Sequence, residues 1–423
     1  MKHCQANEYI EDLLAILKGY PDSENNDWQS RLFKSDFKRL LECSRFHGVS
    51  AVLYIDAKKN HLLKVFPDVY SKELHEEHLK LALKSIYLYE QLDSILSLFV
   101  EQGIPVILLK GAHLAREAYD NLGMRSMGDV DLLVRKEDLE KVEALLLSLG
   151  YAPDDKHRVV CDRNHHFAYR KKANISIEVH WTLHWSCLKG MDIEALWSRA
   201  CLSQYFKQGV FVLSPEDLLL HLCLHSALHV QNIRLRMIYD LKVVLEKLGP
   251  NIDFEVLRQR AKEWKVDGSV YVFLRLAKEL LGAELKDDKL TGIKPEGFNE
   301  EYFFALKAKL LVFDLEKSYA VMGSPSMLLW SDKAWSFKWK LLMEYLFVSP
   351  EAISLKLPVS ANSWKVYLYY PVYWMEMVRK TYKLYRQTHR SKGKELEDLK
   401  NINNLTLFRH WMLSGSSEDA HEE

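Results

Sequence analysis

The apolar positions of the chain change period twice. From residue 8 to residue 100 they recur every three or four positions, the spacing of an amphipathic helix. In EYIEDLLAILKG, Ile10, Leu13, Leu14 and Leu17 form one stripe that stops at Gly19, a residue suited to a helix C-terminus. Residues 28–43 repeat the pattern, and residues 75–103 extend it through Leu81, Leu88, Leu92, Ile95 and Phe99. At Ile104 the texture shifts. IPVILL (104–109), bounded by Gly103 and Lys110-Gly111, reads as a buried strand, and a short helix follows over 112–121. DVDLLV (129–134) predicts a second strand, and 137–149 a helix with acids at its start and Gly150 past its end. Further strands are predicted over 165–170, 175–181 and 209–213. The helical period then returns. Ser214-Pro215-Glu216-Asp217 is a helix start, with an N-cap, a proline at the first position and acids behind it. Helices are predicted over 215–230, 233–248, 254–264, 269–281 and 303–314. Residues 324–358 are rich in Trp and Leu, and a last helix over 364–388 is aromatic on one side and basic toward its end.

Strands and helices that alternate in the middle of the chain, between helical stretches, predict an α/β or α+β unit with helical flanks. The length of 423 residues suggests two to three packed units. The expected division is a helical region over 1–102, a core with its β extension over 103–213, a helical region packing on it over 214–300, and a C-terminal helical region with a polar tail over 301–423. Composition narrows the class of protein more than its function. With 48% hydrophobic and 27% charged residues the chain is an ordinary globular protein rather than a disordered one. Its 58 basic and 58 acidic residues cancel, which argues against a general basic field for coating nucleic acid. Cys4, Cys43, Cys161, Cys187, Cys201 and Cys223 are scattered without a C-x-x-C pair, which predicts reduced thiols and a cytoplasmic location. MKHCQANEYIEDLL lacks the apolar stretch of a signal peptide, and no apolar run approaches the ~20 residues of a membrane-spanning helix.

The chemistry concentrates in LLKGAHLAREAYDNLGMRSMGDVDLLV (108–134). Side chains two apart on a strand share a face, so Asp129 and Asp131 project together while Val130, Leu132 and Val134 face a core. Two carboxylates held this close repel each other, and a divalent cation that also binds nucleotide phosphates relieves the repulsion. A solvent-facing strand edge accounts for the pair equally well when it is taken alone. Three neighbours shift that balance. Lys110-Gly111-Ala112 lies at a strand-to-helix junction, where a glycine and free backbone N–H groups receive phosphate. Arg125 sits in a glycine-flanked loop, with a guanidinium able to grip phosphate through two bonds. In ISIEVHW, Ser176, Glu178 and His180 share the face opposite Ile175, Ile177, Val179 and Trp181, making Glu178 a third acid that serves as metal ligand or general base. The plain alternatives are a tight turn, a surface cation and a solvated strand face.

With these residues in view, the chain resembles the polymerase-β-like nucleotidyltransferase superfamily, whose sites combine a glycine motif after a first strand, an h-D-h-D-h strand and a later third acid. More narrowly, the 108–134 segment, HHFAYR, IEVHWTLH, SPEDLLLHLCLHSALH and RLRMIYDLKVVLEK resemble the family of uncharacterised nucleotidyltransferases, over nearly the full chain. The resemblance implies an α+β fold with a small mixed-sheet core, a nucleoside triphosphate donor, and magnesium or manganese as cofactor. It implies that Asp129, Asp131 and Glu178 are metal ligands and catalytic acids, and that Gly111 approaches the triphosphate. Two features depart from the superfamily. Ala112 stands where serine or a second glycine is usual, and the interval from Gly111 to Asp129 is longer than in many members. The resemblance also hints at surface-glycan or modified-peptide biosynthesis, with a small-molecule, glycan or peptide acceptor.

His221, His225 and His229 lie along one helix face without the glutamate of the H-E-x-x-H motif, so packing at the core–helix interface is their expected role. His166, and His180 beside Glu178, are candidates for substrate contact, against structural roles for both. Arg236 and Asp240 on the next helix are candidates to complete a cleft wall, with pairing or helix-surface roles the stronger expectation. The segment 364–388 mixes aromatic and basic residues, which suits packing against the rest of the chain and, as alternatives, peripheral membrane contact or a partner surface. Three functions stand open at this point: metal-dependent nucleotidyl transfer to a hydroxyl or phosphate acceptor, a non-catalytic scaffold on the same fold, and phosphoryl transfer.

Overall fold

The computed structural model describes residues 8–19, 32–154, 165–171, 175–183, 191–206 and 209–311, with shorter stretches between 339 and 413. The expected α+β fold is observed. Helices α1 (Glu8–Leu17), α2 (Phe37–Phe46), α3 (Ser50–Lys59) and α4 (Asp68–Glu101) precede the first strand. The single helix predicted over 28–43 is interrupted: Leu32 is helical, a turn follows, and a new helix starts at Phe37, where Asp36 caps it by accepting from the Arg39 N–H at 3.1 Å. Then come β1 (Val106–Leu108), α5 (Lys110–Glu117), β2 (Asp129–Val134), α6 (Leu139–Ser148), β3 (Ala152–Pro153), β4 (His166–Lys171), β5 (Ile175–His180), α7 (Ile193–Arg199), β6 (Cys201–Leu202) and β7 (Val210–Val212). The chain continues through α8 (Pro215–Leu228), α9 (Leu235–Leu248), α10 (Phe254–Glu263), α11 (Asp267–Leu281), α12 (Asp287–Gly292) and α13 (Glu300–Leu311). Short pieces escape the periodicity: β3, β6, α7 and α12 are too brief to establish a period of their own.

The strands form one mixed sheet in the order β3-β4-β5-β2-β1-β7-β6, with β1–β7 and β2–β5 parallel and the other pairs antiparallel. Its central strands are buried on both faces, but by different partners. Val106, Leu108, Val130, Leu132, Ile177 and Val179 pack with Leu92, Ile95 and Phe99 of α4 and Val142 and Leu146 of α6. The opposite face contributes Ile107, Leu109 and Leu133 to a larger core that joins α1–α3 to α8–α11 and α13. Helices that lie on either side of the sheet in sequence thus share one core.

Two polar joints fix the helices against the sheet. Ser214 caps α8 as predicted, accepting from the Asp217 N–H at 3.3 Å. Asp217, fully buried, is held by Arg199 at 2.9 and 3.2 Å and by Arg260 at 3.1 Å, so its charge is compensated from two elements. His47 closes the second joint: its Nδ1 accepts from the Leu235 N–H at 3.3 Å and its carbonyl from the Arg236 N–H at 3.2 Å. These bonds pin the start of α9 to the N-terminal helices, at the edge of the polar face of β2.

No helix among the described residues is long and apolar enough to cross a membrane. Of the last predicted helix, residues 364–369 form a 3₁₀ turn followed by helical residues up to 375 and at 378–379, and residues 381–388 lie outside the described part. Val366 and Tyr373 pack with Val348 and Ile353 there, while Trp364, Tyr367, Leu368 and Met375 stay exposed. Cys43, Cys201 and Cys223 are free thiols, and the other three cysteines lie outside the described residues.

Candidate active site

The period of two along β2 sends its even residues into the core and turns Asp129 and Asp131 toward the helices α8 and α9. In the parallel pairing with β5, Asp129 stands beside Ser176 and Asp131 beside Glu178. The sequence shows that three acids exist; the register places the second and third side by side. Asp131 is buried, with 3% of its surface exposed, Glu178 is half-buried and Asp129 is exposed. His180 is buried next to them, its Nε2 at 3.0 Å from Asp131 Oδ1 and 3.5 Å from Glu178 Oε2.

Burying a carboxylate as deeply as Asp131 costs free energy unless it is paired. Burial alone would raise its pKa, but the Lys110 ammonium, 2.7 Å from Oδ1, and the His180 contact outweigh burial and hold it well below the carboxylate range. Lys110 shows the reciprocal effect: burial would lower its ammonium, and Asp131 raises it. The Glu178 carboxyl is lowered, first by its contact with His180 and against its burial. Asp129 moves the other way, raised by partial desolvation and then by the charges of Asp131 and Glu178. The strand face therefore carries one firmly ionised acid and one whose charge its neighbours oppose. Lys110 has φ +41°, in the left-handed region where a side chain costs about 1–2 kcal/mol, and its bond to Asp131 offsets that strain.

The other predicted residues sit around this centre in different ways. A Cβ on Gly111 would lie 2.9 Å from Met127 Cγ, so the glycine lets the 125–127 loop close on α5. Ala112 packs in the core between sheet and α4, and its carbonyl accepts from the Tyr89 hydroxyl at 2.7 Å. A side chain at position 112 therefore faces apolar neighbours. Arg125 departs from the expectation of a phosphate clamp. Its guanidinium is buried and bidentate on Asp240, with Nε–Oδ1 at 2.7 Å and Nη2–Oδ2 at 2.9 Å, and its Nη1 donates to the Ser126 carbonyl at 2.6 Å. The Tyr119 hydroxyl donates to Asp240 at 2.7 Å and completes the pair. The carboxylate that takes the guanidinium arrives from 115 positions away, which local spacing does not reveal.

His166 pairs with His180 across β4 and β5 and places its Nε2 3.9 Å from Glu178 Oε2. Burial, and then His180, lower its pKa. Three residues of the helices that follow the sheet also lie near this face. Arg236, half-buried, donates to the Ser126 carbonyl at 3.3 Å and is electrostatically linked to Asp129. His225 and His229 of α8, with ring centroids 4.5 Å apart, are lowered by burial and then by Lys110, which puts that helix face toward the site. The i, i+4 spacing of Arg236 and Asp240 on α9 was the available signal.

Residues 34–282 match the family described as uncharacterised nucleotidyltransferase. The chain belongs to that family. It is a nucleotidyltransferase, as the resemblance of its motifs implied. Among solved structures, it is similar at 16% identity to the antibiotic-resistance factor ANT(2'')-Ia, over 42% of this chain and 91% of that one, with a TM-score of 0.31. It is similar at 15% identity to a tRNA-processing enzyme in an apo form, over 76% of this chain and 98% of that one, with a TM-score of 0.24. No curated protein matches the chain.

A nucleoside triphosphate donor and the divalent ion that accompanies it are what the resemblance implied, and the acidic face can be tested for a fit to such an ion. Its donor atoms fit one. Asp131, Glu178 and His180 each present a ligand atom within 4.8 Å of the others, and the two carboxylates supply the hard oxygens that such ions take. Asp129 stands outside this group, at the exposed end of the strand. A second set, His165, His166 and His180, meets the same distance criterion.

Proposed function

We propose that this nucleotidyltransferase moves a nucleotidyl group from a nucleoside triphosphate to a hydroxyl or phosphate acceptor, with Asp129, Asp131 and Glu178 as its acids. The observation that carries the reading is the pairing of Asp131 with Glu178 on adjacent parallel strands, two positions from Asp129 on the same face. Magnesium or manganese, when bound there, would neutralise donor phosphates and polarise the α-phosphorus. Asp131 and Glu178 would hold it, and Asp129 would complete the set from the exposed side. In the transfer, an acceptor oxygen bonds to the α-phosphorus as the bond to the β-phosphate breaks, and pyrophosphate leaves. Glu178, half-buried beside His180, would complete the metal site or, in its place, take the proton of an acceptor hydroxyl. Lys110, beside Asp131, and Arg236, beside the Ser126 carbonyl, would meet negative charge as pyrophosphate departs. Gly111 and the start of α5 receive the phosphates, while Arg125 acts one step removed by fixing the 125–127 loop.

His166 and His180 line the acceptor side in this reading. The acceptor is a small molecule, a glycan or a peptide, consistent with a role in surface-glycan or modified-peptide biosynthesis in the cytoplasm. Calorimetry with each triphosphate and magnesium tests the core of the proposal. Binding heat that requires the metal and vanishes in an Asp129→Ala/Asp131→Ala variant is the expected result. Undiminished binding in that variant would refute it, and no metal-dependent heat in the parent would favour the scaffold. Mass analysis of the product separates nucleotidyl from phosphoryl transfer.

A further inference from the structure

Beside the carboxylates, β4 and β5 assemble a donor set of different chemistry. His166 and His180 are direct cross-strand partners, and the His165 carbonyl accepts from the Trp181 N–H at 3.1 Å, which holds the end of β4 against β5. The ring centroids of His165 and His166 are 4.5 Å apart, those of His166 and His180 4.9 Å, and those of His165 and His180 5.4 Å. One ring nitrogen from each histidine lies within 4.8 Å of the other two. His180 is 1% exposed, and its Nδ1 is buried without a hydrogen-bond partner among the described residues. A buried ring nitrogen in that state is desolvated without compensation unless something binds it.

Three imidazoles aimed at one region discriminate between metals. Magnesium prefers oxygen ligands in octahedral geometry and retains water, so a nitrogen-rich set suits it poorly. Zinc, cobalt and nickel take imidazole readily, and three histidines with an open fourth position are an established catalytic zinc arrangement. His165 and His166 are half-buried, which leaves such an ion a path from solvent. Glu178 Oε2, 3.9 Å from His166 Nε2 and 3.5 Å from His180 Nε2, stands between the two sets.

We propose that His165, His166 and His180 form a binding site for a borderline divalent transition-metal ion of the zinc class, adjoining the acidic site and differing from it in metal preference. The site does not depend on the acids being catalytic. Cobalt(II) is the probe, added to the full-length protein at neutral pH with magnesium in excess. The expected result is one equivalent of cobalt that gives ligand-field absorption, persists in excess magnesium and is displaced by zinc. A His165→Ala/His166→Ala variant should bind it at least about tenfold more weakly, as loss of metal ligands does. If circular dichroism shows that variant unfolded, His165→Asn, at a half-exposed position, carries the same expectation. No cobalt binding in the parent, complete displacement by magnesium, or equal affinity in the folded histidine variant would overturn the proposal. Magnesium-dependent triphosphate binding that survives loss of the cobalt site leaves the acidic site standing, so the two readings fail separately.

Discussion

Two buried ion pairs flank the loop between α5 and β2, and they are built for different purposes. Arg125–Asp240 is closed: the guanidinium makes two bonds to one carboxylate and a third to a carbonyl, and Tyr119 donates to the same carboxylate. Lys110–Asp131 is open. Its ammonium makes one bond to a carboxylate that also faces His180, with Glu178 and Asp129 adding negative charge nearby. A pair whose bonding capacity is used up holds structure, and a pair surrounded by excess charge of one sign is ready for a ligand of the other sign.

The largest effect that separates the two pairs is expected from Asp131→Asn. Loss of this charge should cut nucleotidyl transfer by at least about 10⁴-fold, above 5 kcal/mol in the barrier, read from single-turnover product formation. Its folding stability should fall less than that of Asp240→Ala, because the same change relieves repulsion with Asp129 and Glu178. If instead the variant unfolds and retains its rate when folded, the pair is structural. Asp240→Ala should behave in the opposite sense. It strands the buried Arg125 guanidinium and should cost about 3–5 kcal/mol of stability in urea titrations.

A third expectation concerns pH and lies in the joint behind Arg236. Burial, and then Arg234, lower the His47 pKa from 6.5 to about 3, consistent with an Nδ1 that accepts the Leu235 N–H. The folded value lies below the unfolded one, so the unfolded chain takes up its proton first. Stability from this residue is complete above about pH 6.5 and is lost as the pH falls toward about 3. At pH 5 the loss is about 2 kcal/mol. His47→Asn, which keeps an acceptor, should flatten the pH dependence of the urea midpoint over that range, and an unchanged slope would assign the acid sensitivity elsewhere. The smallest effect is expected from Gly111→Ala. Its methyl group meets Met127, whose unbranched chain can turn aside, so stability should drop by about 1 kcal/mol. Weakened triphosphate binding in that variant, by more than its stability loss, would place the phosphates against Gly111.

Much of the sheet was legible because strands buried on one face leave a period of two. Val130, Leu132 and Val134 marked the inner face of β2, and Ile177, Val179 and Trp181 that of β5, so the opposite faces that carry the acids followed without coordinates. The α8 start was legible for a similar reason, since Ser214, Pro215 and the acids act within one turn. What failed was non-local. Arg125 looked like a phosphate-binding or surface cation because Asp240 lies 115 positions away, and the partner of Arg236 was hidden because the Ser126 carbonyl it reaches is 110 positions away. Short elements such as β6 and α7 lacked enough residues to show a period.

The sequence by itself determined which residues carry charge, which strand face they occupy and which family the motifs resemble, because periodicity and capping act within a few residues. Only the tertiary structure decided how those charges are partnered. The β2–β5 register put Glu178 against Asp131, the fold delivered Asp240 to Arg125, and the β4–β5 pairing gathered three histidines beside the acids. Electrostatic partnership falls off over a few ångströms of space and takes no account of distance along the chain, so it exists only once the chain has folded.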